Sequence, residues 1–532
     1  MPTTFPDRTR AKLTRDARRK GVLSALLYGV VGLVALFALI PIIYLGVRAS
    51  EKPLTESLAL ILRPKTLTVL LTTSGLVTLV VALTFLIGLA IATGLHFVRL
   101  PGRSLLVIPA VLPLAIPSYV FTYTWVALIP GFSGFLAAVF ILSLTTLPYI
   151  ILAALAGFRR INTSQIEVAR SLGLSHFEIL RRVILPQIKG HLSAGVLLVA
   201  LYTISDFGAV SLLNVETLTV SIQNMYKASY DRSAAAVISF ILIALSTLVV
   251  LADEKFKDSN PEGRGIQASS RKNALLNSFP LKLAIYTVLT LYTLVAVLLP
   301  FFVLISRFLG NQIAINWSNI ATASFSTIYV SALGALFALA LSAPLGALFS
   351  INDGKFTRAV QRIITVGHGL PGVVVGLALV SIGSKLGAIY QTTGLLAIAY
   401  ALLFLAKSVS SINASLSRVP IGVKEVASTL GLSQFAVLKR VVAPIAAPGI
   451  GLGTILVFLT SMKELPATLM LRPTGFETLA TEIWTYAAIN RYNEAAPYAL
   501  ILVLIAAIPT FLLSRPDKAD RNYIQGDERG IQ

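Results

Sequence analysis

The stretch EVARSLGLSHFEILRRVILP, Glu167–Pro186, returns later in the chain as EVASTLGLSQFAVLKRVVAP, Glu425–Pro444, with twelve of the twenty positions identical. Each copy is polar and basic, and each lies between long apolar runs. The pattern predicts two short helices joined at a bend. Ser164 and Glu167 fit a capping box that opens the first helix. Gly173 and Gly431 suit the left-handed residue that ends it. Ser175 then caps the second helix, and Glu178 completes another box. Phe177, Leu180 and Ile184 fall on one face of that helix, and Phe435, Leu438 and Val442 repeat the face. Capping alone explains Glu167 but not Glu425, because Gly422 stands where Ser164 should recur. A role shared by both copies is more economical: an exposed helix whose apolar stripe docks in a partner's groove.

The sequence around these segments is that of a membrane protein. Mean hydropathy is +0.82 over 532 residues, with 56% hydrophobic and 13% charged residues, where a soluble domain has roughly a quarter charged. Runs such as Val22–Val47 and Leu67–Leu95 exceed the ~18 apolar residues that suggest a spanning helix. The expected spans are 22–47, 67–97, 104–128, 135–157, 191–213 and 234–251, then 281–306, 325–350, 363–382, 393–412, 449–470 and 495–513. The fold class is therefore an all-α membrane protein of about twelve transmembrane helices. A β-barrel would show alternation rather than continuous apolar runs. No cleavable signal peptide is expected, since the first run is ~26 residues, too long for an h-region. The absence of cysteine removes thiol chemistry and disulfides.

The net charge of +21 is placed for topology, not for nucleic acid. Roughly three-quarters of Lys and Arg fall in alternate loops and the tails, as the positive-inside bias requires. Both termini and both quoted segments are then expected on the cytoplasmic side of the bilayer. The expected organisation is a basic tail 1–21, a first repeat 22–252, a linker 253–280, a second repeat 281–513 and a tail 514–532. An offset of about 258 superposes Gly88 on Gly346, Pro113 on Pro371, Glu167 on Glu425 and Asp206 on Glu464, and ETL recurs at 216–218 and 477–479. Six spans per unit is an even number, so the two repeats are parallel and a pathway between them is the natural consequence.

The pattern E-x-A-x3-G-x-S-x-F, ending at a proline and present twice at matched topology, resembles the EAA loop of permease subunits of bacterial ABC importers. The repeat organisation resembles the type I importer fold with both permease halves fused. The resemblance implies that Glu167, Ala169, Gly173 and Phe177, with Glu425, Ala427, Gly431 and Phe435, form the helices that couple to ATPase subunits. Val168 and Val426 depart from a strict E-A-A. The chain has no G-x4-G-K-[ST] loop, and Gly354-Lys355 lacks the upstream glycine. ATP and Mg are thus expected on a separate ATPase, in two copies, with no cofactor and no catalysis in this chain. The resemblance also implies a periplasmic substrate-binding protein and an inner-membrane location.

Asp206, in YTISDFGAVSLL, and Glu464, in TSMKELPATLML, are acids inside apolar runs. Such acids cost ~2.5–3.5 kcal/mol on insertion scales and usually face a cavity or partner. Two readings are open: opposite walls of one vestibule, or interfacial and ion-paired acids, with Lys463 the neighbour for Glu464. Together, SDFGAVSLL and KELPATLMLRPTGFETLA resemble the ferric-iron branch of these permeases. That implies Fe(III) as cargo, with Asp206, Glu464, Tyr202, Glu216 and Glu477 as substrate-pathway candidates. Hard Fe(III) is compatible with oxygen ligands, but a conduit must release its cargo, so no stable metal site is expected. His96, His176 and His191 belong to loops or interfaces, and His368 to packing beside Gly369. IPAVLPLAIPSY (Ile108–Tyr119) and GHGLPGVVVG (Gly367–Gly376) should bend the third span of each half, either for packing or as gates. Thiamine, a polyamine or an oxyanion is the alternative cargo, and an ion-coupled secondary transporter the alternative machine.

Overall fold

The computed structural model describes residues 7–98, 100–161, 163–228, 231–257, 278–310, 315–352, 354–367 and 369–514. Most of the linker, both chain ends and His368 lie outside these residues. Every element is a helix. The first half comprises α1 (Asp7–Ala49), α2 (Leu54–Leu62), α3 (Pro64–Phe97), α4 (Arg103–Val111), α5 (Ser118–Leu128), α6 (Phe135–Phe158), α7 (Thr163–Ser171), α8 (His176–Ile179), α9 (Leu185–Ser205), α10 (Gly208–Leu212), α11 (Leu218–Ala228) and α12 (Arg232–Lys257). The second comprises α13 (Phe279–Thr293), α14 (Leu299–Leu309), α15 (Trp317–Ile351), α16 (Lys355–Gly367), α17 (Gly372–Leu386), α18 (Thr393–Ser417), α19 (Ile421–Thr429), α20 (Gln434–Val437), α21 (Ala443–Met462), α22 (Pro466–Leu471), α23 (Leu479–Ala488) and α24 (Tyr492–Ser514).

Among the described residues nine helices are long and apolar enough to cross a membrane. Two bent pairs bring the number to eleven: Leu105–Ala115 with Ser118–Leu128 at 91°, and Lys355–Gly367 with Gly372–Leu386 at 101°. The shorter apolar helix Tyr492–Ile508 stands where the twelfth is expected. Prolines make the bends. Pro117 and Pro371 hold extended backbone just before α5 and α17, because the ring fixes φ and removes the N–H that would continue the helix.

Helix direction follows from packing. Gly75 of α3 lies against Phe135 at the start of α6, and His96 at the end of α3 stacks near Phe158 at the end of α6. The two helices therefore run parallel, and the bent α4–α5 carries the chain back between them. In the second half Gly334 meets Tyr400 and Gly346 meets Ile412, so α15 and α18 are parallel as well. Tyr28 of α1 reaches Asn352 after α15, and Tyr286 of α13 donates to the Pro101 carbonyl after α3 at 2.9 Å. The quoted segments, which follow α6 and α18, thus emerge on one face.

The halves are entwined, which the sequence did not suggest. Helix α1 packs on α15, α16 and α17, while α13 and α14 pack on α3, α4, α5 and α24. Gly94 of α3 has Ile285 of α13 so close that an added Cβ would lie 2.7 Å from it. Each half lends its first helix to the other.

The repeat is visible atom by atom. Thr73 Oγ1 accepts from the Leu218 N–H at 3.0 Å, and Thr327 Oγ1 accepts from the Leu479 N–H at 2.8 Å. These bonds satisfy the first turn of α11 and of α23. Removing either acceptor (Thr73→Val or Thr327→Val) leaves a buried N–H unpaired and is expected to cost about 1–3 kcal/mol. Thermal unfolding of the purified chain reads it as a lowered Tm.

The structure also corrects the register of the repeat. Phe97 and Ile351 end α3 and α15, and Pro117 and Pro371 precede α5 and α17; both pairs are 254 apart. Pairing Gly88 with Gly346 and Pro113 with Pro371 is therefore one helical turn out. The offset becomes 258 only after α17, which has 15 residues against 11 in α5. A slip of about one turn leaves helical periodicity intact, so hydrophobic pattern cannot reveal it.

Candidate functional site

Each copy of the repeated segment is a helix, a tight bend and a second helix, as its residues predict. Gly173 and Gly431 have φ of +78° and +83°, the left-handed region that a Cβ disfavours. Ser175 and Glu178 make the expected capping box on α8. Helix α7 begins at Thr163, one residue before the Ser164 of the expected box.

The second helix runs further than expected. It passes through a π turn at Leu180–Ile184, or Leu438–Val442, and straight into α9 or α21. A third π turn, Leu294–Leu298, precedes Pro300 as these precede Pro186 and Pro444. A proline ring collides with the carbonyl four residues back, and a widened turn relieves that collision. The fifth spans are therefore His176–Ser205 and Phe435–Met462, not 191–213 and 449–470. They start at the bend and stop at the acids.

Burial divides the coupling candidates. Ala169 and Ala427 are 4% and 6% exposed, so they seat the helix on its own half. Glu167, Glu425, Phe177 and Phe435 are exposed. So are Val168, Leu172, Val426 and Leu430, with the two leucines at 74% and 77%. Sequence reading passed over these four. The apolar stripe follows Val168–Leu172–Phe177 in one copy and Val426–Leu430–Phe435 in the other, while Ile184 and Val442 turn inward. The signal was present: Val168 and Leu172 are four apart, on one helix face.

The two intramembrane acids have specific local partners. Asp206 is 8% exposed. Its Oδ1 accepts from the N–H groups of Ala209 and Val210 at 2.9 and 3.3 Å, and its Oδ2 accepts from the Ser118 hydroxyl. Tyr202 reaches Ser118 too. Glu464 Oε1 accepts from the Ala467 N–H at 3.0 Å. An added Cβ on Gly372 would stand 2.3 Å from that same oxygen. Each acid thus caps the short helix after a fifth span, α10 or α22, and presses on the first residue after the bend in the third. Lys463 does not pair with Glu464; its Nζ donates to the Leu114 carbonyl of the other half at 2.6 Å. Lys407 of α18 is the cation that acts on Glu464.

The two turns meet between the halves. A Cβ on Gly208 would lie 2.7 Å from Tyr119 Cβ and 3.2 Å from Leu465, and Phe207 packs on Trp484 with ring centroids 5.2 Å apart. Tyr119 is buried with no hydrogen-bond partner for its hydroxyl. Tyr400 bonds Thr468 at 2.7 Å.

Glu216 and Glu477 are elsewhere. Glu216 pairs with Lys65 at 3.0 Å beside a cavity lined by Thr68, Phe135 and Asn214. Glu477 pairs with Arg472 and accepts from Thr481 at 2.9 Å. Among the described residues no three of His, Asp and Glu gather closely enough to hold a metal ion. The four acids are thus not one ligand set.

Two stretches, 84–257 and 342–515, match the family described as binding-protein-dependent transport system inner membrane component. Each carries one repeated loop and one acid turn. The chain belongs to this family. The Fe(3+)-transport system permease protein FbpB 2 of Haemophilus influenzae is 30% identical over 490 residues, covering 91% of this chain and 96% of that protein. The putative 2-aminoethylphosphonate transport system permease protein PhnV of Salmonella typhimurium is 28% identical over 226 residues, 39% of this chain and 84% of its own. The molybdenum transport system permease protein ModB of Mycobacterium tuberculosis is 26% identical over 211 residues, 36% and 80%. The second and third match the length of one half, and FbpB 2 matches both. The chain is accordingly a multi-pass permease of the inner membrane with two fused type I halves, and transport in this family also involves an ATPase and a substrate-binding protein.

Proposed function

We propose that this permease imports ferric iron, delivered by a periplasmic binding protein and driven by two cytoplasmic ATPase subunits that carry the ATP and Mg. The observation that carries the machine is the doubled stripe Val168–Leu172–Phe177 and Val426–Leu430–Phe435, exposed on one face. Apolar side chains held exposed on a helix and the bend that ends it are the form of a docking surface. The excess of Lys and Arg in the loops and tails on that side supports a cytoplasmic location for that face and for both termini. Closure of the ATPases pulls the stripes together, and because α9 and α21 continue directly from them, the motion reaches the acid turns between the halves.

The cargo assignment rests on the likeness to FbpB 2 across both halves. Asp206 and Glu464 are occupied as helix caps, so the iron is not held by a carboxylate cluster, and weak contact suits a conduit. The test is uptake in proteoliposomes containing the full chain, its ATPase subunits and its binding protein. Radiolabelled Fe(III) is expected to accumulate only with ATP, and excess molybdate, phosphonate or thiamine to leave it unchanged. ATP-driven uptake of one of those solutes without iron would overturn the cargo.

A further inference from the structure

Asp206 and Glu464 occupy equivalent places but differ by one methylene, and so do their neighbours. Asp206 faces Ser118, and Glu464 faces Gly372. Ser118 and Gly372 are themselves equivalent, each the residue after the bend proline Pro117 or Pro371. The longer acid stands opposite the residue with no side chain, and the shorter acid opposite the residue with a hydroxymethyl. Each contact joins the broken third span to the turn that ends the fifth span. The fifth span is also the helix that begins at the cytoplasmic stripe.

We propose that Ser118–Asp206 and Gly372–Glu464 are two size-matched latches that close the pathway between the halves and part during each transport cycle. Their position supports this role. The turns they hold, Asp206–Gly208 and Glu464–Pro466, approach each other across the interface at Gly208 and Leu465, and Phe207 of the first turn packs on Trp484 of α23 in the second half. On this proposal a solute passing between the halves separates the two turns. Lys463, bonded to Leu114 of the opposite half, ties the second turn to the first half's bend. The acids are positioning residues that act through the helices they cap. The inference rests on the importer reading but not on its cargo.

The size match gives the test. Asp206→Glu pushes a carboxylate into Ser118, and Gly372→Ser puts a hydroxyl where Glu464 lies. Each single change is expected to lower ATP-driven uptake about tenfold, the scale on which overpacking a tight contact acts. Ser118→Gly added to Asp206→Glu, and Glu464→Asp added to Gly372→Ser, should each restore most of it. A second readout needs no cargo. The chain has no cysteine, so in the complex with its ATPases oxidation of Ser118→Cys with Asp206→Cys can be read as a disulfide within this chain, without background from its other residues. Disulfide formation should be fast without nucleotide and about tenfold slower with ATP and vanadate, as expected of an element with two discrete arrangements. Doubles as impaired as their singles, or a cross-linking rate indifferent to nucleotide, would make these contacts static caps. Failure of iron uptake in the unaltered chain would instead indict the cargo assignment and leave the cross-linking result standing.

Discussion

Leu172→Asp together with Leu430→Asp is expected to release the ATPase subunits from an intact, membrane-inserted permease. Both leucines are more than 70% exposed, so the chain's own packing loses little. In the docked complex each carboxylate would enter an apolar cleft without a partner, which costs about 3 kcal/mol, or roughly a hundredfold in affinity for each loop. Copurification of tagged permease with its ATPase reads the loss, and the yield of membrane-inserted chain serves as the control. Ala169→Leu with Ala427→Leu should behave differently. Those positions are buried, so the larger side chain tilts α7 and α19 and lowers the folded yield as well. Retention of the ATPase by the leucine double variant would remove the stripe from the docking surface.

Gly346→Leu carries the second large effect, this time on folding. A Cβ at Gly346 would stand 2.3 Å from Ile412 Cγ2, far inside van der Waals contact. Small residues at such crossings let membrane helices approach closely, and α15 with α18 is the most extensive helix pair of the second half. The leucine must drive them apart, at about 3 kcal/mol or more. The expected result is a collapse in the yield of monodisperse protein, partly recovered by Ile412→Ala, which vacates the space. The same substitution at Gly451, where nothing lies within 4 Å, should be tolerated. Equal behaviour at the two glycines would show that close approach of these helices does not set stability.

Much of this architecture was legible because its causes are local. Apolar runs long enough to span, the left-handed glycines after α7 and α19 and the box at Ser175 each depend on residues within one or two turns. The bends at Pro117 and Pro371 were legible for the same reason. What failed to appear depends either on distant parts of the chain or on changes that leave the local pattern the same. The exchange of α1 and α13–α14 between halves leaves no periodic trace. The π turns look in sequence like a helix stopped by proline, because a helix that widens to accommodate Pro186 or Pro444 has the same residues as one that ends there. The four-residue difference between α5 and α17 is close to a whole turn, so the misregistered pairing of Gly88 with Gly346 still matched like with like.

The site divided along the same line. Two acids in apolar runs marked Asp206 and Glu464 correctly as unusual, yet their partners Ser118 and Gly372 lie about ninety residues upstream of each acid and are not ionisable. Nothing in composition separates a cargo ligand from a buried cap. Likewise the motif drew attention to Ala169 and Ala427, which are buried, and to Phe177 and Phe435, which are exposed, but not to the exposed side chains beside them, Val168, Leu172, Val426 and Leu430. A repeated position is fixed equally well by packing inward and by docking outward, and only the burial of each side chain tells the two apart.

The account depends most on the claim that this chain is driven through paired loops by a motor it does not contain. Solute uptake by proteoliposomes holding the full-length permease, compared with and without its ATPase subunits at equal ATP, measures that directly. Transport is expected only when the ATPase is present, and is expected to vanish again with Leu172→Asp and Leu430→Asp. Uptake at the same rate by the permease alone would contradict it.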